Sequence, residues 1–143
     1  MPRTFRPTRI RRLLNGLVRP LARLGLAPHV YVLTVPGRKT GEPHSTPVRL
    51  IENGGRWLVA PYGEVGWVRN ARAAGTVTLG RRGRSETLAI EEVGPDEAAP
   101  VLREYVRKVP VVRPYFEAGR DAPLEAFAAE AARHPVFRLG APD

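Results

Sequence analysis

Residues 30–61 read VYVLTVPGRKTGEPHSTPVRLIENGGRWLVAP, and this stretch decides the fold class. Apolar and polar residues alternate along it with the period of two that is typical of β-strands, and turn residues interrupt the pattern twice. Asn53-Gly54 is a strong hairpin signal and predicts a type I′ turn. The stretch therefore predicts consecutive antiparallel strands. Across the whole chain the predicted strands are Val30–Val35, Ser45–Glu52, Arg56–Pro61, Thr76–Gly80, Arg84–Val93 and Val136–Leu139.

Three helical segments interrupt this series of strands. Val65–Ala74 precedes Gly75, a residue that commonly ends helices. Asp96–Lys108 has acidic residues at its start and basic residues at its end, which matches the helix dipole. Leu124–Arg133 is the last of the three. Short strands joined mostly by tight turns, with helices between them, predict a mainly β (α+β) fold in which a small antiparallel barrel of five or six strands has flanking helices.

The positive charge is concentrated before this barrel. Residues 1–41 contain nine arginines and lysines and no acidic residue, whereas basic and acidic residues balance in the rest, so the net charge of +9 belongs to the N-terminal part. Apolar residues recur at helical spacing over residues 1–27, which predicts a basic amphipathic helical segment there and a barrel domain over 28–143. This segment either packs on the core or contacts an anionic membrane surface through residues 1–25. It lacks interleaved aromatic residues, so we predict no nucleic-acid partner.

The chain lacks the residues of several common kinds of active site. It has no cysteine, which excludes thiolate metal sites and cysteine nucleophiles. The three histidines are far apart in sequence, and no metal site is predicted. No G-x-S-x-G, Walker or G-x-G-x-x-G pattern occurs, and no apolar stretch is long enough for a transmembrane helix. These absences favour a binding protein or an enzyme whose cofactor supplies the chemistry.

The loop Pro36–Pro43 carries the first candidate binding motif. Gly37 and Gly41 allow tight backbone turns that expose N–H groups. Arg38, Lys39 and the Thr40 hydroxyl converge from this short loop and are the groups that hold a phosphate. The alternative is an ordinary solvated hairpin turn with two surface charges.

The segment Ala60–Asn70 carries the second motif. A hydrophobic strand ends in Pro61-Tyr62-Gly63, and a short helix follows, so a flat ligand can approach the backbone closely. Trp67 and Asn70, one helical turn apart, are placed to contact a ring system. The alternative is that Trp67 packs in the core. Together the two motifs suit a phosphorylated, flavin-like molecule.

These residues resemble the deazaflavin-dependent nitroreductases, a branch of the flavin and deazaflavin oxidoreductases. The resemblance is carried by residues 33–43 (LTVPGRKTGEP), 53–60 (NGGRWLVA), Trp67, Asn70 and 73–79 (AAGTVTL), and it covers residues 30–93 well. It implies a split β-barrel of about six antiparallel strands, similar to FMN-binding barrels. It also implies that the barrel binds the 8-hydroxy-5-deazaflavin coenzyme F420.

The resemblance also implies a set of site residues. Positions matching Arg38, Lys39 and Thr40 bind the cofactor phosphate in the family, and positions matching the Pro61 to Asn70 segment border the ring. His44 replaces an arginine of better-known members, and Tyr115 alone remains of several pocket tyrosines, which argues against nitroimidazole reduction but not against hydride transfer. Tyr115 is the candidate catalytic residue, since the proton for the product comes either from Tyr115 or from water. The predicted cofactor-binding residues are Arg38, Lys39, Thr40, Gly41, His44, Thr46, Pro61, Tyr62, Gly63, Trp67, Val68 and Asn70.

The predicted function is therefore that of an oxidoreductase. It transfers a hydride from reduced F420 to a quinone, a nitro compound or an activated enone, and it acts as a monomer or homodimer in the cytoplasm or at a membrane. One alternative is a relative that uses FMN. Another is a non-catalytic member of the same barrel family that binds the cofactor or a lipid.

Overall fold

The computed structural model describes residues 29–140, and the predicted N-terminal helical segment lies outside them. Seven antiparallel strands form one sheet, in the spatial order β2-β1-β5-β6-β7-β4-β3. The strands are β1 (Val30–Pro36), β2 (Pro43–Arg49), β3 (Ile51–Glu52), β4 (Arg56–Val59), β5 (Thr76–Arg81), β6 (Arg84–Glu92) and β7 (Val136–Gly140). The helices are α1 (Gly66–Ala74), α2 (Pro95–Lys108) and α3 (Leu124–Glu130), with 3₁₀ turns at Pro110–Tyr115 and Ala131–Arg133.

The sheet curls because β2 and β3 are consecutive in the chain but lie at its opposite edges. Only Leu50 separates them, and this residue is fully buried while its N–H donates to the His29 carbonyl over 2.9 Å. The prediction of one strand over Ser45–Glu52 is wrong for this reason. The chain bends at Leu50 to leave β1 and pair with β4, so the sheet must close towards itself. The predicted split β-barrel with flanking helices is confirmed.

The hairpins β5–β6 and β3–β4 have different turns. Arg82 and Gly83 both have positive φ angles, 54° and 73°, as a two-residue type I′ turn requires. The type I′ turn predicted at Asn53-Gly54 is wrong. Gly54 and Gly55 adopt the positive φ angles there, and the Asn53 N–H donates to the Gly55 carbonyl in a three-residue loop.

Two hydrophobic clusters lie on the two faces of the curled sheet. We call them the inner cluster, which packs against α1, and the outer cluster, which α2 and α3 cover. Side chains alternate along β4, so Leu58 belongs to the inner cluster and Trp57 and Val59 belong to the outer one. The inner cluster includes Leu33, Val77, Leu79, Phe137 and, from α1, Val68 and Ala71. The outer cluster includes Leu102, Tyr105 and Phe127, so α2 and α3 cover this face. Among residues 29–140, no helix is long and apolar enough to cross a membrane.

Candidate active site

A cavity of about 790 Å³ lies along the edge strand β2. One wall is β2 with the loop before it, and the others come from the segment between β4 and α1 and from the end of α2. The two loops that the sequence singles out, Pro36–Pro43 and Ala60–Asn70, therefore share one cavity. Its lining residues are Val30, Gly37, Arg38, Lys39, Thr40, Glu42, His44, Ser45, Thr46, Pro47, Val48, Arg49, Val59, Pro61, Tyr62, Val65, Gly66, Trp67, Asn70, Tyr105, Val109, Val111 and Val112.

The β1–β2 loop, which we call the cationic loop (Gly37–Glu42), is closed by its own backbone. The Gly37 N–H donates to the Glu42 carbonyl over 2.7 Å, and the Gly41 N–H donates to the Gly37 carbonyl over 2.8 Å. A Cβ atom at Gly37 would lie 2.9 Å from His44 Nε2, so a side chain there would displace His44. The Thr40 Oγ1 accepts the Glu42 N–H, which leaves the hydroxyl hydrogen to donate to a ligand.

Asn70 on α1 joins the cationic loop to the rest of the site. Its Oδ1 accepts two hydrogen bonds from Arg38, one from the backbone N–H at 3.1 Å and one from Nη1 at 2.8 Å. Asn70 is only 7% exposed, so helix packing fixes its position. Sequence reasoning placed Asn70 against a ligand ring. The structure shows that Asn70 lines the cavity and also orients Arg38.

The corner after β4 forms the opposite wall. Gly63 has a φ of 85°, and its N–H donates to the Ala60 carbonyl at 3.4 Å. The Pro61 carbonyl accepts a hydrogen bond from His134 Nδ1 at 2.8 Å, which holds the corner from behind. The Tyr62 ring meets the Tyr115 ring edge-on, with centroids 4.8 Å apart. Tyr62 therefore faces the cavity with its orientation supported by a second ring.

Helix α1 begins at the cavity. Val65, Gly66 and Trp67 line it, and Val65 at the N-cap makes no side-chain capping hydrogen bond. The Trp67 ring packs at a tilt against Phe137, with centroids 5.8 Å apart, and remains partly exposed. Trp67 is therefore both a core contact and part of the cavity wall.

The cavity brings together nine of the thirteen residues predicted from sequence. These are Arg38, Lys39, Thr40, His44, Thr46, Pro61, Tyr62, Trp67 and Asn70. Gly41, Gly63, Val68 and Tyr115 are not among the lining residues. Val68 is fully buried in the inner cluster because it lies on the core face of α1, and Tyr115 lies behind Tyr62.

Sequence reasoning missed the end of the cavity that lies farthest from the cationic loop. Arg49 lines it from the last position of β2, and Tyr105 lines it from α2. Burial raises the pKa of the Tyr105 hydroxyl well above its ordinary value of 10.0, the nearby Tyr62 raises it further and Arg49 opposes the shift. Tyr105 therefore stays protonated and is a hydrogen-bond donor. Within residues 29–140, no cluster of three or more histidine and acidic side chains is placed to hold a metal ion.

Comparison with solved structures shows that other proteins share this fold. An F420-H2 dependent reductase, FDR-A, is 20% identical, with 78% of this chain and 94% of that chain covered and a TM-score of 0.53. A protein described as a domain-swapped dimer is 16% identical, with 91% and 96% covered and a TM-score of 0.56. HutZ, the heme storage protein of Vibrio cholerae, is 9% identical, with 87% and 89% covered and a TM-score of 0.51. A search of curated proteins gives no match.

The curled antiparallel sheet with a cavity at its edge defines the chain as a split-barrel protein. Within this class, a family model described as F420H(2)-dependent quinone reductase matches residues 6–124. The chain belongs to this family. The resemblance found in the sequence is thereby confirmed.

Proposed function

We propose that the chain transfers a hydride from reduced coenzyme F420 to a quinone or to a nitro or activated enone acceptor. The observation that carries this proposal is the shared cavity, which has phosphate-binding side chains at one end and aromatic rings beside them. F420-dependent reduction is the activity that the family description names. The acceptor class and the roles of individual residues are our own assignment.

The residues at the cationic loop fit the phosphate of such a cofactor. Arg38 uses Nη1 to bond Asn70, which leaves its remaining guanidinium N–H groups to donate to phosphate oxygens. Lys39 adds an ammonium group and Thr40 a hydroxyl hydrogen. The backbone bonds that close the loop hold these donors in place before a ligand arrives, which reduces the entropy lost on binding.

The aromatic part of the cavity fits a planar ring. Pro61, Tyr62 and Trp67 line it, and contacts behind each ring restrict how Tyr62 and Trp67 turn. The bound deazaflavin supplies the hydride chemistry, and the chain contributes orientation and exclusion of water. Tyr115 supports Tyr62 from outside the cavity lining, so in this proposal water delivers the proton to the product.

A binding titration tests the proposal. Purified protein is titrated with oxidised and reduced F420, and with FMN for comparison, while the ligand fluorescence is followed. Lys39→Ala removes a charged hydrogen bond to the phosphate and should weaken F420 binding by about 10- to 100-fold. The chain has one other lysine, Lys108, which pairs with Glu104 on α2, and Lys108→Ala is the matched control.

Two results would contradict the proposal. One is tighter binding of FMN than of F420, which would favour the FMN-using alternative. The other is F420 binding without oxidation of the reduced cofactor by menadione, which would favour the non-catalytic alternative. Equal F420 affinities of the Lys39→Ala and Lys108→Ala variants would remove the phosphate site from the cationic loop.

A further inference from the structure

The corner after β4, which carries Tyr62, is held to the segment before β7 by two hydrogen bonds. One joins backbone atoms, since the Ala60 N–H donates to the Pro135 carbonyl at 2.8 Å. The other comes from a side chain, since His134 Nδ1 donates to the Pro61 carbonyl at 2.8 Å. Of these two bonds, only the second depends on the kind of side chain at its donor position. The side chain of His134 therefore decides how firmly the corner is held.

Glu130 ties the same histidine to a second wall of the cavity. The 3₁₀ turn Pro110–Tyr115 lines the cavity from the side of α2. Directly after this turn, the backbone N–H groups of Glu117 and Ala118 donate to the Glu130 carboxylate at 3.1 and 2.8 Å. Glu130 Oε1 also lies 2.9 Å from His134 Nε2. The dyad, by which we mean Glu130 and His134, therefore bridges the corner and the turn.

The two segments that the dyad bridges each carry one ring of an aromatic pair. Tyr62 belongs to the corner and Tyr115 ends the turn, and their rings meet edge-on with centroids 4.8 Å apart. Phe116, next to Tyr115, stacks on the imidazole of His134 with centroids 3.8 Å apart. A movement of either segment therefore displaces the Tyr62 ring, which lines the cavity.

The hydrogen-bond chemistry of the dyad fixes the direction of the histidine ring. A carbonyl oxygen only accepts, so Nδ1 of His134 carries a hydrogen, and the contact of Nε2 with Glu130 needs one further hydrogen between its two atoms. Both ring nitrogens are thus engaged, and His134 and Glu130 are only 4% and 2% exposed. Rotation of the ring would leave buried polar atoms without partners, which is costly.

We propose that His134 is a positioning residue for hydride transfer, because it fixes the wall against which the planar ring of the cofactor lies. This inference rests on the proposed function. The acceptor gains a hydride, which is two electrons and one proton, from the reduced deazaflavin and then takes a second proton from water. Such a transfer requires a narrow range of distances and angles, so a small displacement of the wall slows it. The phosphate donors belong to the cationic loop on the opposite wall, so cofactor affinity should depend on His134 much less than the rate does.

Two variants of His134 separate positioning from structural support. The amide nitrogen of His134→Asn occupies roughly the place of Nδ1 and can still donate to the Pro61 carbonyl. The amide nitrogen of His134→Gln occupies roughly the place of Nε2 and can reach only Glu130. Both variants lose the ring that stacks on Phe116, so both should lower the melting temperature. Each keeps one of the two hydrogen bonds, so a purely structural role predicts similar losses of activity.

We expect His134→Gln to lower kcat for the oxidation of reduced F420 by menadione by about 10- to 100-fold, with little change in the Kd of F420. His134→Asn should retain most of the activity, because the corner is still held. The assays are run below the melting temperature of the less stable variant. Equal losses of kcat in the two variants, or a Kd that rises in His134→Gln as much as kcat falls, would overturn the inference.

Nuclear magnetic resonance tests the same contacts without the cofactor. In the unmodified chain, the His134 Nδ1–H should exchange with solvent much more slowly than the ring N–H groups of the exposed His29 and His44. A nuclear Overhauser effect should join the rings of Tyr62 and Tyr115, weaken in His134→Gln and persist in His134→Asn. Exchange at His134 as fast as at the exposed histidines, or an Overhauser effect that His134→Gln leaves unchanged, would overturn the inference.

These measurements separate the failure of this inference from the failure of the proposed function. If the unmodified chain neither binds nor oxidises reduced F420, the proposed function fails, and the resonance experiment still decides whether His134 holds the Tyr62 wall. If the unmodified chain is active and the two His134 variants lose activity equally, the proposed function stands and only the positioning role is wrong.

Discussion

Glu130 and His134 form a buried pair directly behind the cavity. His134 Nδ1 donates to the Pro61 carbonyl at 2.8 Å, and its Nε2 lies 2.9 Å from Glu130 Oε1. The Glu130 oxygens also accept the backbone N–H groups of Glu117, at 3.1 Å, and Ala118, at 2.8 Å. The imidazole ring stacks on Phe116, with centroids 3.8 Å apart. The pair therefore fixes the corner that carries Tyr62.

Removal of the Glu130 carboxylate should strongly destabilise the fold. Glu130→Ala removes the carboxylate that His134 Nε2 and the backbone N–H groups of Glu117 and Ala118 contact, so we expect the free energy of unfolding to fall by about 3–5 kcal/mol. Urea denaturation measures the change. Glu117→Ala is the control, because Glu117 pairs with Arg133 on the surface, and loss of an exposed pair should cost at most about 1 kcal/mol. Equal losses in the two variants would show that the buried pair has no special role.

The residues that the sequence failed to identify share a physical reason. Arg49 and Tyr105 lie 56 positions apart and meet only because the sheet curls and α2 covers its outer face. In the sequence, Tyr105 is part of the apolar stripe of a helix, and Arg49 is an ordinary polar residue of an edge strand. By contrast, Arg38, Lys39 and Thr40 are recognisable because one short loop holds all three.

At the level of the elements, Arg72 joins α1 to its neighbours. Its guanidinium makes two hydrogen bonds to Glu92 on β6, at 2.7 and 2.8 Å, and one to Glu64, at 2.9 Å, in the segment before the helix. Arg56 on β4 similarly makes two 3.0 Å bonds to Glu86 on β6. These ion pairs tie the helix at the cavity and the two halves of the sheet together.

These ion pairs predict how stability depends on pH. The hydrogen bond from Arg72 lowers the pKa of Glu64 below its ordinary value of 4.5, and the bond from Arg56 lowers the pKa of Glu86 in the same way. A carboxyl group whose pKa is lower in the folded state stabilises the fold above its unfolded pKa. That contribution is lost as the pH falls through the folded value. We therefore expect stability to decline as the pH falls below 4.5.

Urea denaturation over a series of acidic pH values checks this prediction. Glu64→Gln and Glu86→Gln should each make the decline less steep, and high salt should reduce the difference because both pairs are exposed. Glu125→Gln is the control, since Glu125 is an exposed carboxylate on α3 with no ion pair to any residue in the described part of the chain. A decline that is equally steep in all four proteins would contradict the prediction.

The bend between β2 and β3 shows why the boundaries of strands are harder to predict than their existence. Alternation identified six stretches, and each overlaps an observed strand. It could not locate the bend at Leu50, because a buried leucine fits the pattern of a continuous strand equally well. Only the pairing of β2 with β1 and of β3 with β4, which are contacts between distant residues, divides this stretch into two strands.

On the scale of the whole molecule, charge and fold are separate. Residues 1–28 contain seven arginines and no acidic residue, so of the net charge of +9 only +2 belongs to residues 29–143. The barrel is therefore nearly neutral, and its cavity gains its positive character locally, from the cationic loop and Arg49. We expect the excess charge of the N-terminal residues to serve a separate purpose, contact with an anionic surface.

We expect the N-terminal arginines to direct the protein to anionic membranes. A basic residue near such a surface contributes about 1 kcal/mol, so the double variant with Arg11→Gln and Arg12→Gln should bind phosphatidylserine vesicles about 10- to 30-fold more weakly. Cosedimentation measures this binding. The double variant with Arg84→Gln and Arg120→Gln removes the same charge from exposed positions of the barrel domain and should bind nearly as the unmodified chain does. If both double variants lose binding equally, the net charge of the chain controls vesicle binding and the N-terminal segment does not. Strong binding to neutral phosphatidylcholine vesicles would contradict an electrostatic attraction.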